Sequence, residues 1–235
     1  MLLALAFALA GGLAVGSFLN VVAVRVPQRR SVVGGRSACG SCDAEIAWYD
    51  NVPLVSYAVL RGRCRRCLAR FGAVYPAVEL ATGLLVVGCV LRFGVSADAA
   101  LASVFCALLV VLSAIDAKHR IVPNRIVVPA GLAVLAARTA LDPSAEWAGC
   151  ALAAAAFLLA AALAYPGGMG MGDVKLAFLL GAMLGREVGV ALLVGMLAAL
   201  VPSAVLLARH GKSARKLAIP ARAVFWNTDS RLPCT

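Results

Sequence analysis

The sequence predicts an all-α, polytopic membrane protein: a helix bundle of about seven spans, with a small cytoplasmic zinc-ribbon-like domain after the first. Three observations carry that expectation. Of the 235 residues, 63% are hydrophobic, and the mean hydropathy is +0.93, which excludes an ordinary soluble domain. The apolar residues fall in runs near spanning length, parted by short charged loops. One sizeable polar segment carries four of the eight cysteines in two close pairs. The net charge of +11 is gathered into a few loops, so membrane topology accounts for it better than a nucleic-acid partner.

The first run, residues 2–24, is uncharged and precedes the first basic residue, Arg25. A cleaved secretory signal carries its basic residues ahead of the apolar core. Residues 1–24 are therefore expected to form a retained helix, with Met1 outside and Arg25, Arg29 and Arg30 in the cytoplasm. Pro27 ends it.

Residues 25–75 form the expected cytoplasmic domain and hold nine of the 22 Lys+Arg residues. A segment of about 50 residues cannot fold on a hydrophobic core alone and needs a staple. The staple is Cys39-Gly-Ser-Cys42 followed, after 21 residues, by Cys64-Arg-Arg-Cys67. Two CxxC pairs at that separation suit one tetrahedral zinc ion, each pair giving two thiolates. A reducing cytosol disfavours disulfides, and Arg63, Arg65 and Arg66 are expected to favour the thiolates. Four thiolates leave no open position, so the metal is expected to be structural. Cys89, Cys106 and Cys150 lie in apolar runs and read as small buried hydrophobes; Cys234 carries no signal.

Residues 76–208 form the membrane domain, with runs at 77–91, 99–115, 126–141, 147–165, 174–185 and 189–208. Alternating their direction leaves Arg92, Arg138 and Arg186 as the basic residues outside, which sets the orientation. Residues 209–235 read as a basic cytoplasmic tail, because Arg222, Asp229 and Arg231 interrupt every window of spanning length.

The chemistry is expected at Gly167-Gly168-Met169-Gly170-Met171-Gly172-Asp173. This stretch sets one carboxylate and four glycines between two apolar runs. An ionisable residue at membrane depth costs about 2.5–3.5 kcal/mol even on the mildest scale and marks a functional site by default. The run after it, 174–185, has only 12 residues before Arg186-Glu187, about 18 Å of helix against a core of about 30 Å. The glycines then read as irregular backbone at depth, tolerated only beside protein or a water-filled cavity. The spacing fits neither a dinucleotide fingerprint nor a P-loop. A plain glycine hinge with Asp173 as a helix cap is the structural alternative.

Asp116 ends the third run and falls on the same expected side as Asp173; Glu79 comes nearest among the other acids. Two carboxylates at one depth on separate helices suit an aspartic hydrolase, in which one takes a proton from water and the other donates to the carbonyl oxygen. Asp116 follows a helix C-terminus and Asp173 precedes an N-terminus, which favours the anion at Asp173 and makes it the base. Lys118 and Arg120 act against that order. Three alternatives stand beside the hydrolase. The acids could be interfacial caps answered by Lys118, Arg120 and Lys175. They could be proton or cation sites of a transporter. The chain could also be a non-catalytic scaffold whose zinc module binds a partner.

The chain resembles the type IV prepilin peptidases, membrane aspartic proteases of the GxGD type, from Gly16 to about Gly195. The resemblance rests on Gly16-Ser-Phe-Leu-Asn20, the two CxxC pairs, Asp50-Asn-Val-Pro-Leu-Val-Ser56-Tyr, Arg61-Gly-Arg-Cys64 and Tyr75-Pro-Ala-Val-Glu79. It continues through Asp116 with Ile121-Val-Pro123 to GGMGMGDVKL. It implies that Asp116 and Asp173 are the catalytic pair. It implies cleavage of prepilins or pseudopilins after a short basic leader, on the cytoplasmic face of the bacterial plasma membrane. It further implies N-methylation of the new N-terminus with S-adenosylmethionine, a second activity that no residue pattern here reveals independently. Two departures stand out. Asn124 replaces the family's usual Asp, with little expected effect. Where the family usually shows an eighth, final apolar helix, residues 219–235 do not read as one.

Overall fold

Each long apolar run becomes a helix. The computed structural model describes residues 1–32, 34, 37–165 and 170–210, without side chains for 199 and 201–210. The long helices are α1 (Leu2–Arg25), α3 (Val74–Phe93), α4 (Ala97–His119), α5 (Asn124–Leu141), α6 (Ala145–Ala164), α7 (Met171–Leu184) and α8 (Val188–His210), while the short α2 (Val55–Val59) lies in the polar segment. Among the described residues there is no β-strand, only two isolated bridges in the cysteine-bearing segment. The fold is all-α, as the composition requires. The expected tail beyond His210, and Gly167, Gly168 and Met169 of the glycine stretch, lie outside the described residues.

Among the described residues the seven apolar runs give six candidate spans, because Met171–Ala198 reads as one stretch of 28 residues. Within it the chain breaks: α7 has 14 residues, about 21 Å of rise, and Gly185 follows at φ 57. Large side chains such as Leu2, Phe7, Phe157 and Leu163 remain exposed along the helices. Apolar surface on that scale marks a chain whose solvent is lipid.

The described chain divides into two compact units, one ending at Ile121 and the other beginning at Val122. In the first, α1 packs along α3, and α4 packs against both. The approach of α1 to α3 is that of bare backbone: a Cβ on Gly12 would lie 2.8 Å from the Cα of Gly83. Small residues permit such contact where lipid gives helices no hydrophobic drive to associate. Ser96 caps α4 by accepting from the Ala99 N–H at 3.1 Å, and a left-handed Arg120 (φ 54) ends it.

In the second unit, α7 packs between α5 and α6. Its contact with α6 is equally close, since a Cβ on Gly181 would lie 2.6 Å from the Cα of Ala151. Ala154, Leu158, Val174, Ala177 and Val188 make a buried cluster that Leu192 of α8 also touches. Arg186 Nε pairs with Glu146 Oε2 at 3.2 Å, and the Arg138 guanidinium lies 4.8 Å from the Trp147 ring centroid.

Candidate functional site

The two CxxC pairs fold as near copies of each other. In the first, the Cys39 N–H donates to Ala44 O (2.9 Å), the Asp43 N–H to Cys39 O (2.9 Å) and the Ile46 N–H to Ser37 O (2.7 Å). Each bond recurs 25 residues on: Cys64 N–H to Ala69 O (2.8 Å), Leu68 N–H to Cys64 O (3.0 Å) and Phe71 N–H to Gly62 O (2.7 Å). The bridges Ala38–Glu45 and Arg63–Arg70 keep the same offset. The residue after each second cysteine takes a positive φ, 53 at Asp43 and 57 at Leu68. Each turn thereby presents its thiols together, and the two turns meet: all four sulfurs lie within 4.8 Å of one another.

That donor set fits a metal. Zn–S bonds of about 2.3 Å put the edges of a tetrahedron at about 3.8 Å, and Cys39 Sγ and Cys67 Sγ are 3.7 Å apart. Of the three arginines expected to favour the thiolates, Arg65 is engaged elsewhere. Arg65 makes a two-pronged bond to Asp50, at 2.8 and 2.7 Å, tying the second turn to the 3₁₀ turn Trp48–Asn51. Burial raises the Cys64 thiol, but the backbone N–H groups of Cys67 and Arg66, with the Cys39 and Cys67 thiols, outweigh it and bring the group to about 7. Main-chain dipoles rather than guanidinium groups favour the first thiolate. Of the remaining cysteines, Cys89 is buried on α3, and Cys106 and Cys150 are half-buried.

The two aspartates lie on helix ends, one in each unit. Asp116 is exposed in the last turn of α4, which runs on to His119. Asp173 is exposed in the first turn of α7, which already begins at Met171. The Gly170 N–H donates to Asp173 Oδ2 at 3.3 Å, and the Asp173 N–H donates to Gly170 O at 3.1 Å. Asp173 thus steadies the helix start, as the capping alternative expects, and still presents its carboxylate.

The segment preceding α5 is folded onto that start. A Cβ on Gly172 would lie 2.9 Å from Cβ and Cγ2 of Val122, so the second glycine of GxGD is the space that Val122 occupies. Lys175 Nζ donates to Asn124 Oδ1 at 2.6 Å. The capping alternative has Lys175 among the cations answering the aspartates, and Asn124 is expected to have little effect. The structure couples the two side chains instead. No sequence signal marks that pair, because 51 residues separate them.

Glu79 takes a different position. It is 8% exposed on α3, and its Oε2 accepts the Leu54 N–H at 2.9 Å. Beside it, Asn20 Nδ2 donates to Tyr75 O at 3.0 Å. These residues line a cavity of about 280 Å³ in the first unit.

Residues 10–93 match the model of the bacterial peptidase A24 N-terminal domain, and residues 103–207 that of the type IV leader peptidase family. The chain is 36% identical over 177 residues to a Bacillus subtilis protein named prepilin leader peptidase/N-methyltransferase, covering 74% of this chain and 71% of that one. The chain belongs to the type IV leader peptidase family. A relative of the same name from Myxococcus xanthus is 42% identical over 206 residues, covering 84% of this chain. The chain spans 62% of that relative's length. Another, from Pseudomonas aeruginosa, is 35% identical over 207 residues, covering 75% of this chain and 71% of the relative. No solved structure matches.

Proposed function

We propose that the protein is a membrane-embedded aspartic endopeptidase that removes the leader from prepilin-like substrates and N-methylates the new N-terminus. The observation that carries the reading is an exposed Asp173 at a GxGD helix start, in a chain whose relatives are named prepilin leader peptidase/N-methyltransferase. Asp116 is its partner. Asp173 takes a proton from water as the water oxygen attacks the scissile carbonyl carbon, while Asp116 gives its proton to the carbonyl oxygen. Asp173 then protonates the leaving amine as the C–N bond breaks, and Asp116 recovers its proton. Asp173 stands in the first turn of α7 and Asp116 in the last turn of α4.

The four cysteines hold a structural zinc ion, and S-adenosylmethionine supplies the methyl group. The cysteine domain and both aspartates face the cytoplasm of a bacterial plasma membrane. The test is cleavage of a prepilin by zinc-loaded protein in detergent, where no ion gradient exists and a transporter would do nothing. Asp116→Asn and Asp173→Asn are each expected to abolish the size shift of the substrate at normal yield. Retained cleavage in either variant removes that residue from the pair.

A further inference from the structure

The first unit contains a cavity whose lining includes neither Asp116 nor Asp173. Its volume of about 280 Å³ lies near the lower end of small-molecule sites, roughly 300–1,000 Å³. The wall is built from the end of α1, the two cysteine turns, α2 and the first turns of α3.

Glu79 is the unusual group in that wall. It is 8% exposed, and the one bond its carboxylate receives from the described residues is that of the Leu54 N–H to Oε2. No described cation pairs with it. A buried carboxylate without a countercharge is expensive, and the ordinary solution is a positive partner. The backbone that donates to it is strained: Leu54 sits at φ 59, a conformation that clusters at active sites and ligand clamps. On α1, Gly16 clears the place. A Cβ there would lie 2.7 Å from the Glu79 Cα.

The rest of the wall suits an aromatic, zwitterionic cation. Tyr57 and Phe71 offer rings. Tyr57 is pinned by Gly62, whose absent Cβ would lie 2.8 Å from the ring. Arg63 and Arg70 offer positive charge to a carboxylate. A growing pilin helix would need an open apolar groove instead of a mixed cavity of this size.

We propose that this cavity is the methyl-donor site and binds S-adenosylmethionine, with the Glu79 carboxylate as countercharge to the sulfonium. The proposal rests on the N-methyltransferase part of the proposed function. The bound donor supplies a methyl carbon that an amine lone pair takes up as the C–S electron pair stays on sulfur, the new ammonium then losing one proton. Glu79 attracts the charged donor and loses that attraction once the sulfur is neutral, so the spent product is held less tightly than the donor. Leu54, Asn20 and Tyr75 hold the wall in shape through the bonds already described.

The experiment is calorimetric titration of the full, zinc-loaded chain in detergent with S-adenosylmethionine and, separately, S-adenosylhomocysteine. Glu79→Gln keeps an acceptor for the Leu54 N–H and removes only the charge. It should weaken the donor by at least about tenfold and the neutral-sulfur product by less than about threefold. Val24→Phe, which fills the cavity from α1, should weaken both. Unchanged zinc content and unfolding midpoint certify that each variant is folded. The proposal is overturned if Glu79→Gln leaves donor binding intact or weakens both ligands equally, or if Val24→Phe changes neither. It is equally overturned if a leader-free prepilin N-terminal peptide displaces the donor from the wild-type protein by competition. A wild-type chain that binds neither ligand defeats the methyltransferase reading itself, an outcome distinct from failure of the cavity assignment.

Discussion

Glu79 and Asp173 both stand near the start of an apolar helix, and the protein treats them in opposite ways. Glu79 is 8% exposed and receives a backbone N–H from a strained Leu54. Asp173 is exposed and receives the N–H of Gly170 within its own helix turn. A hidden acid can hold a cation but cannot easily reach water. An exposed acid on a helix N-terminus can do the reverse. The two regions also stand on different supports. The cavity wall depends on two small turns joined through four thiols, whereas α7 depends on helix packing so close that backbone meets backbone.

The largest expected effect comes from removing the support of the first region. Cys42→Ser leaves three thiolates, and a structural zinc ion contributes an apparent 10–16 kcal/mol or about that in small domains. Metal analysis should fall from about one zinc per chain to a small fraction of that. Donor binding should fall by at least about tenfold, while leader cleavage falls by less than about threefold. Equal loss of both functions would erase the division between the regions.

A smaller effect tests the second region. In Gly172→Ala, the new methyl meets Val122, and overpacking of this kind costs about 1–3 kcal/mol, against about 1 kcal/mol gained in helix propensity. Cleavage should drop several-fold, roughly fivefold, and the unfolding midpoint by a few degrees. Adding Val122→Ala should restore both. If the single variant behaves as wild type, Val122 does not set the place of the helix start.

The smallest effect sharpens the link between Asn124 and Lys175. Asn124→Asp gives the Lys175 ammonium a carboxylate in place of an amide, an exposed ion pair worth about 0.2–1 kcal/mol. The unfolding midpoint should rise by roughly 1–3 °C, and the gain should vanish in high salt. A gain that persists in high salt would show that charge is not its source.

The helices were legible because lipid demands long apolar runs, and the structure places a helix on every one. Their ends were less so: α4 passes Asp116 and α7 starts before Asp173, since polar residues can finish a turn that apolar ones begin. The metal-site candidates were legible from spacing, because a CxxC turn presents two thiols by local geometry. Glu79 was noticed as an acid near membrane depth, but its burial depends on Leu54, 25 residues away. The pairing of Arg65 with Asp50 was missed for the same reason. It arises from a tertiary turn and redirects a charge that the sequence appeared to offer to the thiols.

The two cysteine turns are near copies in backbone, but they are not copies in charge. The first carries Asp43 and Glu45; the second carries Arg63, Arg65, Arg66 and Arg70. Main-chain hydrogen bonding cannot tell one turn from the other, so the duplicated scaffold alone has no preferred side. The uneven charge supplies one. If the domain faces the cytoplasmic leaflet as proposed, its basic turn is drawn toward anionic headgroups by about 1 kcal/mol for each arginine near the surface, and its acidic turn is pushed away. The repeat supplies the shape, and the broken symmetry of charge gives the domain an up and a down.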